Sequence, residues 1–190
     1  MFARTPRLLL RPGWAEDAAA LHHAIADEAI VRNLATAPWP YMPSDARAFL
    51  TQERDPLLPS FLIFKRTRGQ PHLVGGCGIS AHEHGTVELG YWIARPYWGL
   101  GFATEAASAV MQLARAAGLR NVTCSHFLDN PASGRVIRKL GFKPSGTPVM
   151  RYSQGRGRAD LSQAYVDGAE GEMRDDVAVE LYSDREPLAA

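Results

Sequence analysis

The sequence predicts a mixed α/β (α+β) fold, with a central sheet of about six to seven strands and helices on both faces. Three observations lead to this prediction. Strand patterns joined by short turns fill residues 60–93, a glycine turn then leads into an alanine-rich helical pattern, and residues 121–152 alternate strand, helix and strand. The chain of 190 residues is expected to be a single domain, with its core at about 8–152, a mobile loop at about 154–176 and a last strand at about 177–182.

The amino-acid composition indicates which class of protein this is. Hydrophobic residues make up 46% and charged residues 22% of the chain, which is typical of a soluble globular protein. The net charge of +1 favours neither a nucleic acid nor a membrane as partner. Cys77 and Cys124 lie far apart in strand-like runs and are expected to be buried thiols in a reducing compartment. The apolar run at residues 8–10 is too short for a signal peptide, so the protein is expected to be cytoplasmic.

The first elements alternate strand and helix. Residues 8–10 predict a short strand, and helix formers with one apolar face predict a helix over 14–29. Three prolines make residues 33–43 a loop, which also carries Trp39 and Tyr41. Ser44 is a good N-cap for a second helix that runs to about residue 54.

Three strands follow, at about residues 61–64, 73–80 and 87–93. The third shows a clear period of two. Its alternating sets are Val87, Leu89, Tyr91 and Ile93 on one face, and Glu88, Gly90 and Trp92 on the other.

A glycine turn at Gly99 and Gly101 opens the best-defined helix, which Gly118 is expected to end. The first amides of a helix lack backbone partners, and the helix dipole adds about half a positive charge there. Glycine also lets a ligand approach the backbone closely. This turn is therefore predicted to bind a pyrophosphate.

The last predicted elements are a strand over 121–127, a helix, and a strand around 149–152. The helix begins at Asn130 and Pro131, which suit the N-cap and the first helical position, and ends at Gly141.

Three segments, in this order, resemble the GNAT superfamily of acetyl-CoA-dependent N-acetyltransferases, and most of all the branch of ribosomal-protein N-terminal acetyltransferases. They are ELGYW from Glu88, YWGLGFATEA from Tyr97, and NPAS from Asn130 with KLGF from Lys139. Order and spacing match the family over about residues 8–152. The resemblance implies the GNAT fold and acetyl transfer from acetyl-CoA to a primary amine, by direct attack in a ternary complex and without a metal.

The resemblance also implies a set of residues for the co-substrate, with Asn130 on the pantetheine arm. The acetyl-CoA-binding residues are Trp98, Gly99, Leu100, Gly101, Phe102, Ala103, Thr104 and Asn130. Ser133 is implied to lie near the thioester sulfur and is counted as catalytic.

Glu88 is the predicted general base. An unperturbed amine has a pKa near 10, so its proton must leave before it attacks the thioester, and a carboxylate acting through water is a suitable acceptor. The alternative is a solvent-facing carboxylate on a half-buried strand.

The acceptor site is predicted at Trp39, Tyr41 and Trp92, since the loop over 33–43 walls that site in the family. Core packing is the alternative for these aromatic residues. The acceptor is expected to be a protein N-terminus or a small amine such as an aminoglycoside or polyamine, and the protein a monomer or homodimer.

Departures from the family pattern keep a second class of function open. Many members carry a tyrosine as general acid where this chain has Ile137, and Trp98 replaces the usual first residue of the phosphate motif. The alternative is an acyl-CoA-binding sensor or partner domain without catalysis. His82 and His84 are expected to be exposed loop residues and not metal ligands.

Overall fold

The computed structural model describes residues 1–82, 85–168 and 179–182. Those residues form one nine-stranded sheet flanked by helices. The strands are β1 (Phe2–Arg4), β2 (Leu8–Arg11), β3 (Ser60–Lys65), β4 (His72–Ala81), β5 (Val87–Ile93), β6 (Val122–Phe127), β7 (Lys143–Ser153), β8 (Arg158–Val166) and β9 (Glu180–Tyr182). The helices are α1 (Ala18–Ile25), α2 (Glu28–Val31), α3 (Pro43–Thr51), α4 (Phe102–Ala116) and α5 (Pro131–Lys139), with short 3₁₀ turns at Ala15–Asp17 and Arg95–Tyr97.

The strand order is β7-β8-β6-β5-β4-β3-β2-β1-β9. Neighbouring strands are antiparallel except β5 and β6, which are parallel because α4 crosses between them. The mixed sheet with helices on both faces is the predicted fold class, but the predicted strand number was too low.

Each face of the sheet has its own hydrophobic core. On one face, the apolar stripe of α4 packs against residues such as Leu89 and Ile93 of β5. On the other face, Leu21, Val31 and Tyr41 belong to a second core beneath α1–α3, against which Trp92 packs. The two faces of β5 therefore serve different layers, as its period of two predicts.

Two predicted helices differ from the structure. The helix predicted over 14–29 is divided into a 3₁₀ turn, α1 and α2, because the Asp27 side chain accepts the Ala29 N–H at 2.8 Å and caps a new helix. Ser44 is not an N-cap. Pro43 takes the first helical position of α3, and the Asp45 carboxylate accepts the N–H of the N-cap residue Met42 at 2.7 Å.

The C-terminal region holds the largest correction. The mobile loop predicted at 154–176 contains β8, which pairs on both sides with β6 and β7. Its polar composition was misleading because most of β7 and the start of β8 are exposed, and polarity does not exclude a strand there. Residues 169–178, the end of the predicted loop and the start of the predicted last strand, lie outside the described residues. β9 lies within the predicted last strand.

A buried arginine in the β7–β8 turn ties three segments together. The Arg156 side chain is 3% exposed, and its guanidinium lies 4.2 Å from the Phe127 ring centroid. It donates to the Arg32 carbonyl at 2.6 Å, to Asp129 at 2.7 and 2.8 Å, and to Asp160 at 2.9 Å. The hairpin turn is therefore fastened to the end of α2 and to the connection between β6 and α5.

Candidate active site

The glycine turn lies where β5 leads into α4. Gly99 and Gly101 have φ angles of +76° and +80°, in the left-handed region that glycine adopts without strain. Gly101 is the N-cap of α4, and no side chain caps this 15-residue helix. The first helical amides precede the bond from the Glu105 N–H to the Gly101 carbonyl, so they point out of the helix end. This is the geometry that binds phosphate groups.

The remaining residues of the predicted cradle surround this turn. Trp98 and Leu100 are about half exposed, and the Trp98 indole N–H donates to the Ile93 carbonyl at 2.6 Å. Phe102 is buried in the core, so that only its backbone can face a ligand. Ala103 and Thr104 are partly exposed in the first turn of α4.

A gap opens in the sheet beside this turn. Strands β5 and β6 are registered only at Val87–Val122 and Glu88–Thr123, although β5 continues to Ile93. Strand β6 stays paired with β8 along the rest of its length, so it follows β8 away from β5. The two parallel strands therefore separate towards their carboxyl ends, where the glycine turn lies.

Side chains from both sides of the gap meet at Ser133. Its hydroxyl lies 2.9 Å from the Tyr91 hydroxyl, which also reaches the Ser133 carbonyl at 3.1 Å. Burial, with a smaller contribution from the neighbouring Cys124, raises the pKa of Tyr91, so this hydroxyl keeps its proton. Asn130 is the N-cap of α5, as predicted, and its side-chain oxygen accepts the Ser133 N–H at 3.3 Å. Ile137, further along α5, is fully buried.

Glu88 lies on the opposite face of β5, in a fork with Arg151. The two guanidinium nitrogens of Arg151 are 2.5 and 2.7 Å from the two carboxylate oxygens, and the Ser125 hydroxyl donates at 2.8 Å. His82 Nε2 is 3.5 Å from the same carboxylate. Burial alone would raise the pKa of Glu88, but the hydrogen bonds and charge of Arg151 outweigh it, and the net pKa is below its ordinary value.

This environment bears on the predicted role of Glu88. A carboxylate held in a fork is ionised at neutral pH, yet it is a weaker base than a free one. Its role as general base stays a prediction.

The face of β5 that carries Glu88 is open at its middle. Gly90 is exposed, and no atom lies within 4 Å of where its Cβ would be. Trp92 borders this opening, with its indole so close over β4 that a Cβ on Gly76 would be 2.6 Å from the indole nitrogen. The structure thus leaves a free surface between Glu88 and Trp92.

The two aromatic residues of the 33–43 loop have different surroundings. Trp39 is 42% exposed and is available to a ligand. Tyr41 is 6% exposed, and burial with the charge of Asp45 raises its pKa to about 12. Core packing explains Tyr41, whereas the predicted acceptor contact remains open for Trp39.

Sequence reasoning did not identify Tyr91, Ser125 or Arg151 as parts of the site. Arg151 is 63 residues from Glu88, and Tyr91 is 42 residues from Ser133. No local sequence pattern predicts contacts between residues so far apart in the chain. Among the described residues, no group of three or more histidine, cysteine or acidic side chains could hold a metal ion. The same part of the chain contains no helix long and apolar enough to span a membrane.

Comparisons with known proteins bear on the family and the fold. A family model described as an acetyltransferase (GNAT) domain matches residues 7–143. An uncharacterized N-acetyltransferase of Schizosaccharomyces pombe, C18E5.08, is 34% identical over 82 residues, a match spanning 42% of this chain and 44% of that protein. The uncharacterized N-acetyltransferase YoaA of Bacillus subtilis is 29% identical over 150 residues, 75% of this chain and 82% of that protein.

A solved structure with the same fold is that of RimL, a ribosomal L7/L12 alpha-N-protein acetyltransferase, in complex with coenzyme A. The TM-score is 0.67 at 22% sequence identity, and the match covers 85% of this chain and 93% of RimL. At this level of identity the similarity establishes the fold.

Proposed function

The chain belongs to the GNAT acetyltransferase family, and from that premise we propose that it transfers an acetyl group from acetyl-CoA to a primary amine by direct attack in a ternary complex. The observation that carries the proposal is the start of α4. This helix begins at a glycine turn with no side-chain cap, so its amides and dipole are available to the pyrophosphate of the co-substrate.

The pantetheine arm extends from that turn into the gap between β5 and β6. Asn130 and Ser133, at the start of α5, line the far side of the gap. The Tyr91 hydroxyl bonds to Ser133 and keeps its proton, so the pair can donate a hydrogen bond to the sulfur of the leaving group. A thiolate with a pKa near 8.5 is a fair leaving group, which makes the absence of a tyrosine at position 137 tolerable.

The acceptor amine approaches over Gly90, between Glu88 and Trp92, with Trp39 at the rim. Glu88 attracts the ammonium form and takes its proton through water before the amine attacks the thioester carbonyl. A protein N-terminus and a small amine both fit this chemistry, because each can present a primary amine to an ionised carboxylate. The structural similarity to an N-terminal protein acetyltransferase extends to the fold only.

An acyl-CoA-binding domain without catalysis is the second candidate. Two observations favour it, the buried Ile137 in place of the family tyrosine and the engagement of Glu88 by Arg151. The Tyr91–Ser133 hydroxyl pair weighs against it, since a binding domain has no need for a proton donor beside the sulfur.

Two measurements test the proposal. Thiol release from acetyl-CoA, with peptide N-termini, polyamines and aminoglycosides offered in turn, separates the two candidates, because a binding domain releases no thiol with any of them. Calorimetry tests the cradle, for which we expect CoA affinity in the micromolar range, about 8 kcal/mol.

Gly101→Asp places a negative charge where phosphate binds and should weaken CoA binding at least about 100-fold. Gly101→Asn is the matched control, because asparagine has the same size and tolerates the same φ without the charge, so it should lose much less affinity. Equal CoA affinity in folded Gly101→Asp and wild-type protein would rule out this turn as the phosphate site.

A further inference from the structure

Arg7 reaches the glycine turn from the connection between β1 and β2. Its Nη1 donates to the Leu100 carbonyl at 2.9 Å, and its Nη2 is 3.4 Å from where a Cβ on Gly101 would be. The side chain is half exposed, and its guanidinium carbon lies 4.9 Å from the Phe102 ring centroid. Arg7 therefore lies directly against the proposed phosphate cradle.

The same guanidinium is paired with a buried carboxylate of α4. Glu105 is 6% exposed, and its Oε2 lies 2.6 Å from both Nε and Nη2 of Arg7. Its Oε1 accepts the Thr5 hydroxyl at 2.6 Å and the Arg7 backbone N–H at 3.0 Å. Glu105 thus joins the N-terminal segment to the helix.

Glu105 lies close to the helix end at which a phosphate is proposed to bind, and both groups are negatively charged. It follows Gly101 by one helical turn, and its N–H bonds to the Gly101 carbonyl at 3.1 Å. A carboxylate in the first turn is attracted by the helix dipole, as a phosphate is, and it repels a phosphate bound at the same helix end. Burial strengthens that repulsion because little water screens it. An unpaired Glu105 would consequently weaken the cradle.

We propose that Arg7 is a positioning residue for the CoA phosphates, which acts by cancelling the charge of Glu105 beneath the cradle. The inference rests on the proposed function, since it concerns the same co-substrate site. Glu105 fastens the N-terminal segment, and Arg7 makes that carboxylate compatible with a bound anion. The fork geometry, with two nitrogens on one carboxylate oxygen, holds the neutralising charge in place.

Four variants test the proposal: Arg7→Gln, Arg7→Lys, Glu105→Gln and the double variant Arg7→Gln/Glu105→Gln. CoA affinity is measured by calorimetry, and the thermal midpoint of each variant reports on folding. Arg7→Gln leaves Glu105 unpaired and should weaken CoA binding about 10- to 100-fold. Glu105→Gln should bind CoA as tightly as wild type or more tightly. Arg7→Lys keeps the charge but loses the fork, so it should weaken CoA binding less than Arg7→Gln does.

The double variant is decisive, because it lacks both charges. If Arg7 acts by cancelling the charge of Glu105, the CoA affinity of the double variant should return to within about threefold of wild type, although Arg7 is absent. This comparison remains available if Arg7→Gln alone fails to fold with its buried unpaired carboxylate. A double variant as weak as Arg7→Gln, or more than about tenfold weaker than wild type, would show that Arg7 acts on the phosphate directly and would overturn the proposal.

A second readout separates this role from a purely structural one. S-Acetylpantetheine lacks the pyrophosphate, so its use as donor should be unaffected by Arg7→Gln, whereas a distorted fold would impair both donors. If wild-type protein does not bind CoA, the proposed function fails and this inference with it. If wild type binds CoA and Arg7→Gln binds it equally well, the inference alone fails.

Discussion

Glu88→Gln tests the proton path most directly. General-base catalysis contributes about 10²–10⁴-fold, and the contribution grows with base strength. In this structure the fork from Arg151 and the bond from Ser125 lower the pKa of Glu88. We therefore expect the lower end of that range, a loss of about 10² in kcat at neutral pH. The deficit should shrink as pH rises, because free amine then becomes abundant.

The assay is kcat against pH with one confirmed amine acceptor, for wild type, Glu88→Gln and Arg151→Gln. Removing Arg151 takes away the largest interactions that lower the pKa of Glu88, whereas burial continues to raise it, so the acidic limb of the profile should move to higher pH. Breaking this partly buried pair costs stability, on the order of 3 kcal/mol, so folding is checked by the thermal midpoint. A Glu88→Gln enzyme that matches wild type across the pH range would make Glu88 a structural ion-pair partner.

Two further predictions concern the acceptor and the thioester. Trp39→Ala should raise the acceptor KM about tenfold and leave CoA affinity unchanged. Trp14, which is similarly exposed, supplies the control variant Trp14→Ala. A loss of CoA affinity with an unchanged acceptor KM would assign Trp39 to the co-substrate. Ser133→Ala should lower kcat about tenfold through poorer placement of the thioester, and Tyr91→Phe should add little to it because Tyr91 acts through the Ser133 hydroxyl. Fully additive losses in the double variant would contradict that dependence.

Local signals in the sequence predicted local structure well. The Asn130–Pro131 pair marks the start of α5, and Gly118 and Gly141 follow α4 and α5 with positive φ angles, as expected of residues that end helices. The glycine turn was recognised for the same reason, since its signal lies within a few residues of chain. The family resemblance then supplied the fold as a whole.

Contacts between distant residues could not be predicted in this way. The partner of Glu88 comes from β7, which the sequence placed only around residues 149–152, and β8 was assigned to a loop. Without β8, which joins β7 to β6, nothing positions Arg151 near Ser125 and Glu88. The hydrogen bonds and charge around Glu88 therefore depend on the β7–β8 hairpin, whose polar composition did not predict two strands.

The Arg156 cluster has a consequence for the proposed acceptor site. One buried guanidinium links the hairpin turn to Arg32, just before the Trp39 loop, and to Asp129, just before Asn130. Ordering these segments costs conformational entropy, and because the cluster holds their ends together, that part of the cost falls on folding. In the proposed acceptor site, the rim at the Trp39 loop would then be preorganised, and an acceptor would be selected by how it fits an existing shape. Changing the acceptor preference of this protein would require the loop and the hairpin to change together.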